Sequence, residues 1–222
     1  MSKIVLVVAA HADDEVLGCG GTIAKHAISG DKVYVVFMTN GVGSRNAKID
    51  EIKHRKKASE EAAKILGVSL TKQFDFPDNK MDTVALLDVI QSIEEVISKL
   101  QPEIIYTHHI GDLNIDHQIT HKAVMTACRP HPDFCVKEIY SFEVPSSTEW
   151  QTPGYSPFIP NVYIDISEQI EIKRHALEIY SEEMRQSPHS RSIKNVIRLN
   201  ELRGNFMGAY YSEAFIMLRS IG

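Results

Sequence analysis

The chain of 222 residues has little cysteine, no long apolar run and no excess of positive charge. Its three cysteines, Cys19, Cys128 and Cys135, have no CxxC spacing. That excludes both a disulfide framework and a thiolate zinc site, and suits a reducing compartment. The opening MSKIVLVVAAH has one short, β-branched apolar run before His11. It is too short for a membrane span and lacks the cleavage site of a signal peptide, so a cytoplasmic protein is expected. A formal charge of −5 excludes the basic footprint of a nucleic-acid binder. The lysines and arginines between Lys48 and Lys80 interleave with Asp and Glu, as on a solvated helix face. There is no internal repeat, low-complexity tract or interdomain linker, so residues 1–222 are expected to form one domain.

Short apolar runs alternate with helical patterns. Residues 4–9 are β-branched and nearly continuous, as in a strand covered on both faces. Further strands are predicted at 33–39, 69–74 and 104–107, and helices at 16–29, 51–66, 86–100 and 119–127. Gly30 and Gly67 close the first two helices. This alternation predicts a Rossmann-like α/β fold: an open, mostly parallel sheet flanked by helices. Between 129 and 160 prolines, serines and aromatics crowd together, and only 138–142 reads as a strand. The segment is expected to be a surface excursion that shapes a binding site. Helices are predicted again at 165–184 and 192–206.

AAHADDEVLGCGG follows the first strand, where ligand chemistry gathers in open α/β sheets. Three acids beside His11 at the mouth of a buried strand need a positive partner, and a divalent metal is the economical one. Imidazole with carboxylate suits Zn²⁺, and other divalent ions also fit. Capping of the helix dipole could also account for Asp14 and Glu15, but not for His11. Gly18, Gly20 and Gly21 resemble a dinucleotide loop only weakly, since polar residues separate them from the strand. THHIGDLNIDHQITHKA after the fourth strand supplies a second acidic and histidine cluster. His117 and His121 have the spacing of a zincin pair, but Gln118 stands where that pattern needs Glu. His121 reads as a helix-surface residue. Asp116 suits the role of orienting a ligand or the loop.

The pair AHADDE and NIDH resembles the motifs of the LmbE-like, or PIG-L-type, N-acetylglucosaminyl deacetylases. The likeness extends through SFEVPSSTEW, PNVYIDIS and PHSRS…RGNFMGAYYSEAF. It implies His11, Asp14 and His117 as zinc ligands and Asp13 as general base. It also implies Arg55 and Asp78 as sugar-binding residues. Two positions depart from the family: Ala12 replaces the usual Pro, and Asn114 stands where many members have His. An Asn amide can donate to an oxyanion but cannot act as an acid; His108, His109 and His189 are the candidate proton sources. The catalytic candidates are therefore Asp13, Asn114 and Asp116, and the substrate-binding candidates are Arg55, Asp78, His109 and Arg129. Trp150 and Tyr155 are further candidates for holding a sugar face.

The resulting expectation is metal-dependent hydrolysis of an N-acetyl amide on an amino sugar or sugar conjugate. A zinc amidase for a non-sugar N-acyl substrate is the alternative, and a non-catalytic nucleotide-binding α/β protein is a second. Relatives of this kind form trimers or hexamers, so a homo-oligomer is a further expectation, by analogy alone.

Overall fold

A computed structural model describes residues 2–41 and 49–222. Seven strands form one sheet in the order β3-β2-β1-β4-β5-β7-β6. β1 (Ile4–Ala9) lies at the centre, with β2 (Lys32–Thr39) and β3 (Leu70–Phe76) on one side. β4 (Ile104–His108) and β5 (Glu138–Phe142) lie on the other, and all five run parallel. β7 (Ser212–Ser220) pairs antiparallel with β5 and with β6 (Val162–Asp165). The expected α/β architecture is present, with an antiparallel margin.

The alternation of side chains along β1 divides the core. Val5, Val7 and Ala9 face the layer of α1 (Asp14–Ile28), α2 (Ile49–Leu66), α5 (Ile170–Ile179) and α6 (Ile193–Asn205). Leu6 and Val8 face α3 (Leu86–Leu100) and α4 (Ile115–Ala127). Val5 to Ala9 are all at most 1 % exposed, which is why this strand reads as continuous apolar sequence instead of alternating.

Connections reverse direction between β1 and β4. From β1 the chain proceeds by α1 to β2, and from β4 by α4 to β5. This is the topological switch point at which α/β sheets open a crevice beyond the strand carboxyl ends. Both polar motifs lie there, about one strand spacing apart, roughly 4.8 Å.

Several boundaries differ from the sequence expectation. α1 begins at Asp14 and α4 at Ile115, so the acids of each motif form first helical turns. The helix expected over 165–184 is confined to α5, and neither β6 nor β7 is anticipated by periodicity. The excursion over 129–160 contains β5 and a 3₁₀ turn, Thr148–Trp150. α1 is also broken at Cys19 (φ −145°, ψ 23°). The backbone groups that the break releases are taken up by a buried pair. Glu213 accepts from Gly21 N–H (2.9 Å) and Thr22 N–H (2.7 Å), and Lys173 Nζ donates to Leu17 O (3.1 Å).

Candidate metal centre

Beyond β1 the chain turns sharply, and His11, Asp13 and Asp14 are all buried. His11 Nδ1, Asp14 Oδ2 and His117 Nε2 converge: His11 lies 3.1 Å from Asp14, Asp14 3.2 Å from His117, and His117 3.3 Å from His11. Ligand atoms about 2.0–2.1 Å from a tetrahedral zinc lie about 3.3 Å from one another. The triangle therefore has the dimensions of three corners of such a site. Its composition, two imidazoles and one carboxylate, suits zinc and leaves a fourth corner open.

The outer nitrogens of both histidines face carboxylates. His11 Nε2 lies 3.1 Å from Asp116 Oδ2 and 3.2 Å from Asp78 Oδ1. His117 Nδ1 lies 3.1 Å from Asp112 Oδ1. Such partners place the proton on the outer nitrogen and turn the inner lone pair toward a metal. Asp116 is fixed in turn by N–H groups of Asn79 (2.6 Å) and Met81 (3.0 Å). Asp112 accepts from the Ser147 hydroxyl, from Thr148 Oγ1 (2.6 Å) and from Asn114 N–H (2.8 Å). His11, Asp78 and Asp116 also form a possible ligand set. Because Asp116 already receives two backbone donors, its role reads as support for His11.

The charges reinforce one another. Burial alone would lower the pKa of His117, but Asp14 and Asp112 outweigh it and raise it to about 9. His11 is likewise held well above its ordinary value, against burial, by Asp116, Asp14 and Asp78. Burial alone would raise Asp14; His117, His11 and His108 hold it well below the usual carboxylate range. In the metal-free chain a positive charge is thus favoured within this cluster, which is what a cation would supply.

Asp13 stands outside the triangle. Its Oδ2 lies 3.0 Å from Arg191 Nη1, its Oδ1 3.5 Å from Arg55 Nη2. Oδ1 is buried and makes no hydrogen bond. Burial raises the Asp13 pKa, with Arg191 and Arg55 pulling the other way.

The remaining candidates divide by location. Asn114 caps α4, its Oδ1 accepting from Asp116 N–H (2.8 Å) while Nδ2 donates to Asn79 Oδ1 (3.1 Å). Arg55 reaches the site and also pairs with Glu183. Asp78 backs His11. His109 Nε2 lies 2.7 Å from Ser156 O and edge-on to Phe158, so it ties down the excursion without entering the triangle. Arg129 is not brought to the site: it is exposed, 3.9 Å from Glu94, beyond the far end of a helix about 20 Å long. Among the possible proton sources, His108 is fully buried, and its Nε2 accepts from Ala10 N–H (2.8 Å), which leaves it no proton there to give. His121, read from sequence as a surface residue, is mostly buried and bonds to His108 O (2.8 Å). Trp150 is exposed on the 3₁₀ turn, edge-on to His189. Tyr155 is exposed on the same excursion.

Sequence reasoning gave no role to Arg191, Asp112 or Tyr180. Arg191 had one signal, its place within PHSRS. Tyr180 had none, since an apolar helix position is the ordinary setting for a buried Tyr.

Comparison with known proteins came to the same region. The profile of the family described as PIG-L, GlcNAc-PI de-N-acetylase, matches residues 6–128, which contain both halves of the triangle. An uncharacterized deacetylase, YaiS, of Escherichia coli is 34% identical over 75% of this chain and 84% of its own. The diacetylchitobiose deacetylase of Thermococcus kodakarensis is 30% identical over 80% of this chain and 69% of its own. The 4-oxalmesaconate hydratase of Pseudomonas putida is 29% identical over 79% and 72% respectively.

Proposed function

The chain belongs to the PIG-L family, and from that premise we propose that it hydrolyses the N-acetyl amide of an amino sugar or sugar conjugate, releasing acetate and a free amine. The observation that carries this reading is the buried triangle of His11, Asp14 and His117 beside an Asp13 carboxylate that keeps one oxygen without a hydrogen bond. These three residues would hold zinc. A zinc ion bound by three protein groups lowers the pKa of water toward neutrality and polarises a carbonyl.

The chain's own groups supply the proton traffic. Asp13 Oδ1, held off the metal ligands, takes a proton as water adds to the amide carbon. The same carboxylate returns it to the nitrogen as the C–N bond breaks, so that the amine leaves neutral. Arg191 and Arg55 hold Asp13 through charge and keep it aimed. Asp116 and Asp112 fix the two imidazoles, and Asp78 supports His11. Arg55, buried between Asp13 and Glu183, is the proposed contact for substrate.

A sugar substrate is supported by the family description and by the diacetylchitobiose deacetylase relative. The hydratase relative supports a second reading, addition of water to a C=C bond, because that reaction also needs a base beside an activated water. One experiment separates them: incubate the zinc-loaded chain with N,N′-diacetylchitobiose and with an unsaturated dicarboxylic acid, assaying acetate and loss of ultraviolet absorbance. Acetate release that Asp13→Asn abolishes, at unchanged metal content, is expected. Hydration without acetate, or an Asp13→Asn variant as fast as the parent, would overturn the reading.

A further inference from the structure

Asp13 occupies the N-cap position of α1, yet its side chain makes no cap hydrogen bond. Its φ is 125°, a region that side-chain-bearing residues rarely adopt and that persists only when surrounding contacts enforce it. In a capping box an acid in the first turn reaches back to the N–H of the N-cap residue. Here Glu15 does so from the second helical position: Asp13 N–H donates to Glu15 Oε2 at 2.9 Å. The other oxygen, Oε1, accepts from the Tyr180 hydroxyl at 2.7 Å. Glu15 and Tyr180 are each 2 % exposed. A buried carboxylate is costly without such partners, so its presence here calls for a role. Tyr180 immediately follows α5, outside the segment that matches the family profile.

We propose that Glu15, braced by the Tyr180 hydroxyl, is a positioning residue that holds the Asp13 backbone in its left-handed turn. By occupying the Asp13 N–H, Glu15 performs the capping task and leaves the Asp13 carboxylate turned toward Arg55 and Arg191. The proposal rests on the reading of Asp13 as the base.

The test compares Glu15→Ala, Glu15→Gln, Tyr180→Phe and Asp13→Asn, alone and with Glu15→Ala in the Asp13→Asn background. Kinetics use N,N′-diacetylchitobiose, with zinc content measured in parallel and a crystal structure of Glu15→Ala. A misplaced base costs about a hundredfold, so Glu15→Ala should lose that much in kcat with KM and zinc content little changed. Glu15→Gln, whose amide oxygen still accepts from Asp13 N–H, should recover most of it. In the Asp13→Asn background Glu15→Ala should cost nothing further, and the crystal structure of the Glu15→Ala single variant should show Asp13 out of the positive-φ region. If Glu15→Ala does not fold, Tyr180→Phe removes one oxygen and carries the test with a loss of up to about tenfold, that of one hydrogen bond. Wild-type kcat in Tyr180→Phe and Glu15→Ala beside an inactive Asp13→Asn would overturn the positioning role and leave the base in place. An unchanged Asp13 φ, or a kcat loss that tracks lost zinc, would overturn it too. An active Asp13→Asn would remove the reading beneath it.

Discussion

Lys173→Met should lower the melting midpoint by about 6–10 °C. Lys173 is fully buried, 2.6 Å from Glu213 and 3.1 Å from the Leu17 carbonyl freed by the break in α1. Methionine fills the volume but leaves the Glu213 carboxylate, 1 % exposed, facing only two backbone N–H groups. Stranding one charge of such a pair costs about 3–5 kcal/mol. With an unfolding entropy of about 2.1 cal/mol/K per residue, a chain of 222 residues unfolds with about 0.5 kcal/mol/K. The quotient is the stated shift. Differential scanning calorimetry on the metal-free chain reads it directly. Lys173→Met combined with Glu213→Gln should lose clearly less than the two single losses together, because neither charge is then stranded. A shift under about 2 °C for the single variant, or strict additivity in the double, would refute the reasoning.

Other expectations follow from the site and its packing. Asp112→Ala should weaken zinc binding about 10–100-fold by releasing His117 Nδ1, as measured by competition with a chelator. The folded-state pKa of His117, about 9, exceeds its ordinary 6.5. The charged imidazole therefore stabilises the metal-free chain fully below pH 6.5, and that contribution fades as pH rises through 9. Zinc needs the neutral ring, so its apparent affinity should rise over the same window by up to about tenfold per pH unit and then level off; titrations at pH 6.5, 7.5 and 8.5 decide it. Gly18→Ala would drive a methyl into the buried Phe142 ring, itself packed on His108. A loss of about 1–3 kcal/mol is expected, read as a lowered midpoint in thermal unfolding.

Those positions mark where local sequence carries information and where it does not. Ile4–Ala9 declares itself because a central parallel strand is apolar on both faces, and the two motifs declare themselves because polar residues directly after such a strand are unusual. The parallel sheet and the two polar clusters follow from that; the choice of His11, Asp14 and His117 within them rests on the family resemblance. β6 escapes because it is a four-residue edge strand, and β7, though paired on both sides, because its buried half carries polar Ser212 and Glu213 and the rest, with Arg219, is only partly buried. Helix starts are misplaced by a few residues since Asp14 and Asp116 look like loop polarity until their backbone is seen to be helical. Arg191, Asp112 and Tyr180 depend on contacts made across the fold: Arg191 meets Asp13 from 178 positions away and Tyr180 meets Glu15 from 165. No window of local sequence contains such a pair. Arg129 illustrates the reverse, a basic residue in a promising loop that folding carries away from the site.

The most direct test is a cobalt(II) titration of the metal-free chain, followed by visible absorption, in the parent and in His11→Ala, His117→Ala and Asp13→Asn. The site described here should take up about one ion per chain with a tetrahedral spectrum. Either histidine replacement should abolish that spectrum, while Asp13→Asn should keep it. A parent chain that binds no ion, or a tetrahedral spectrum that survives either histidine replacement, would contradict the account.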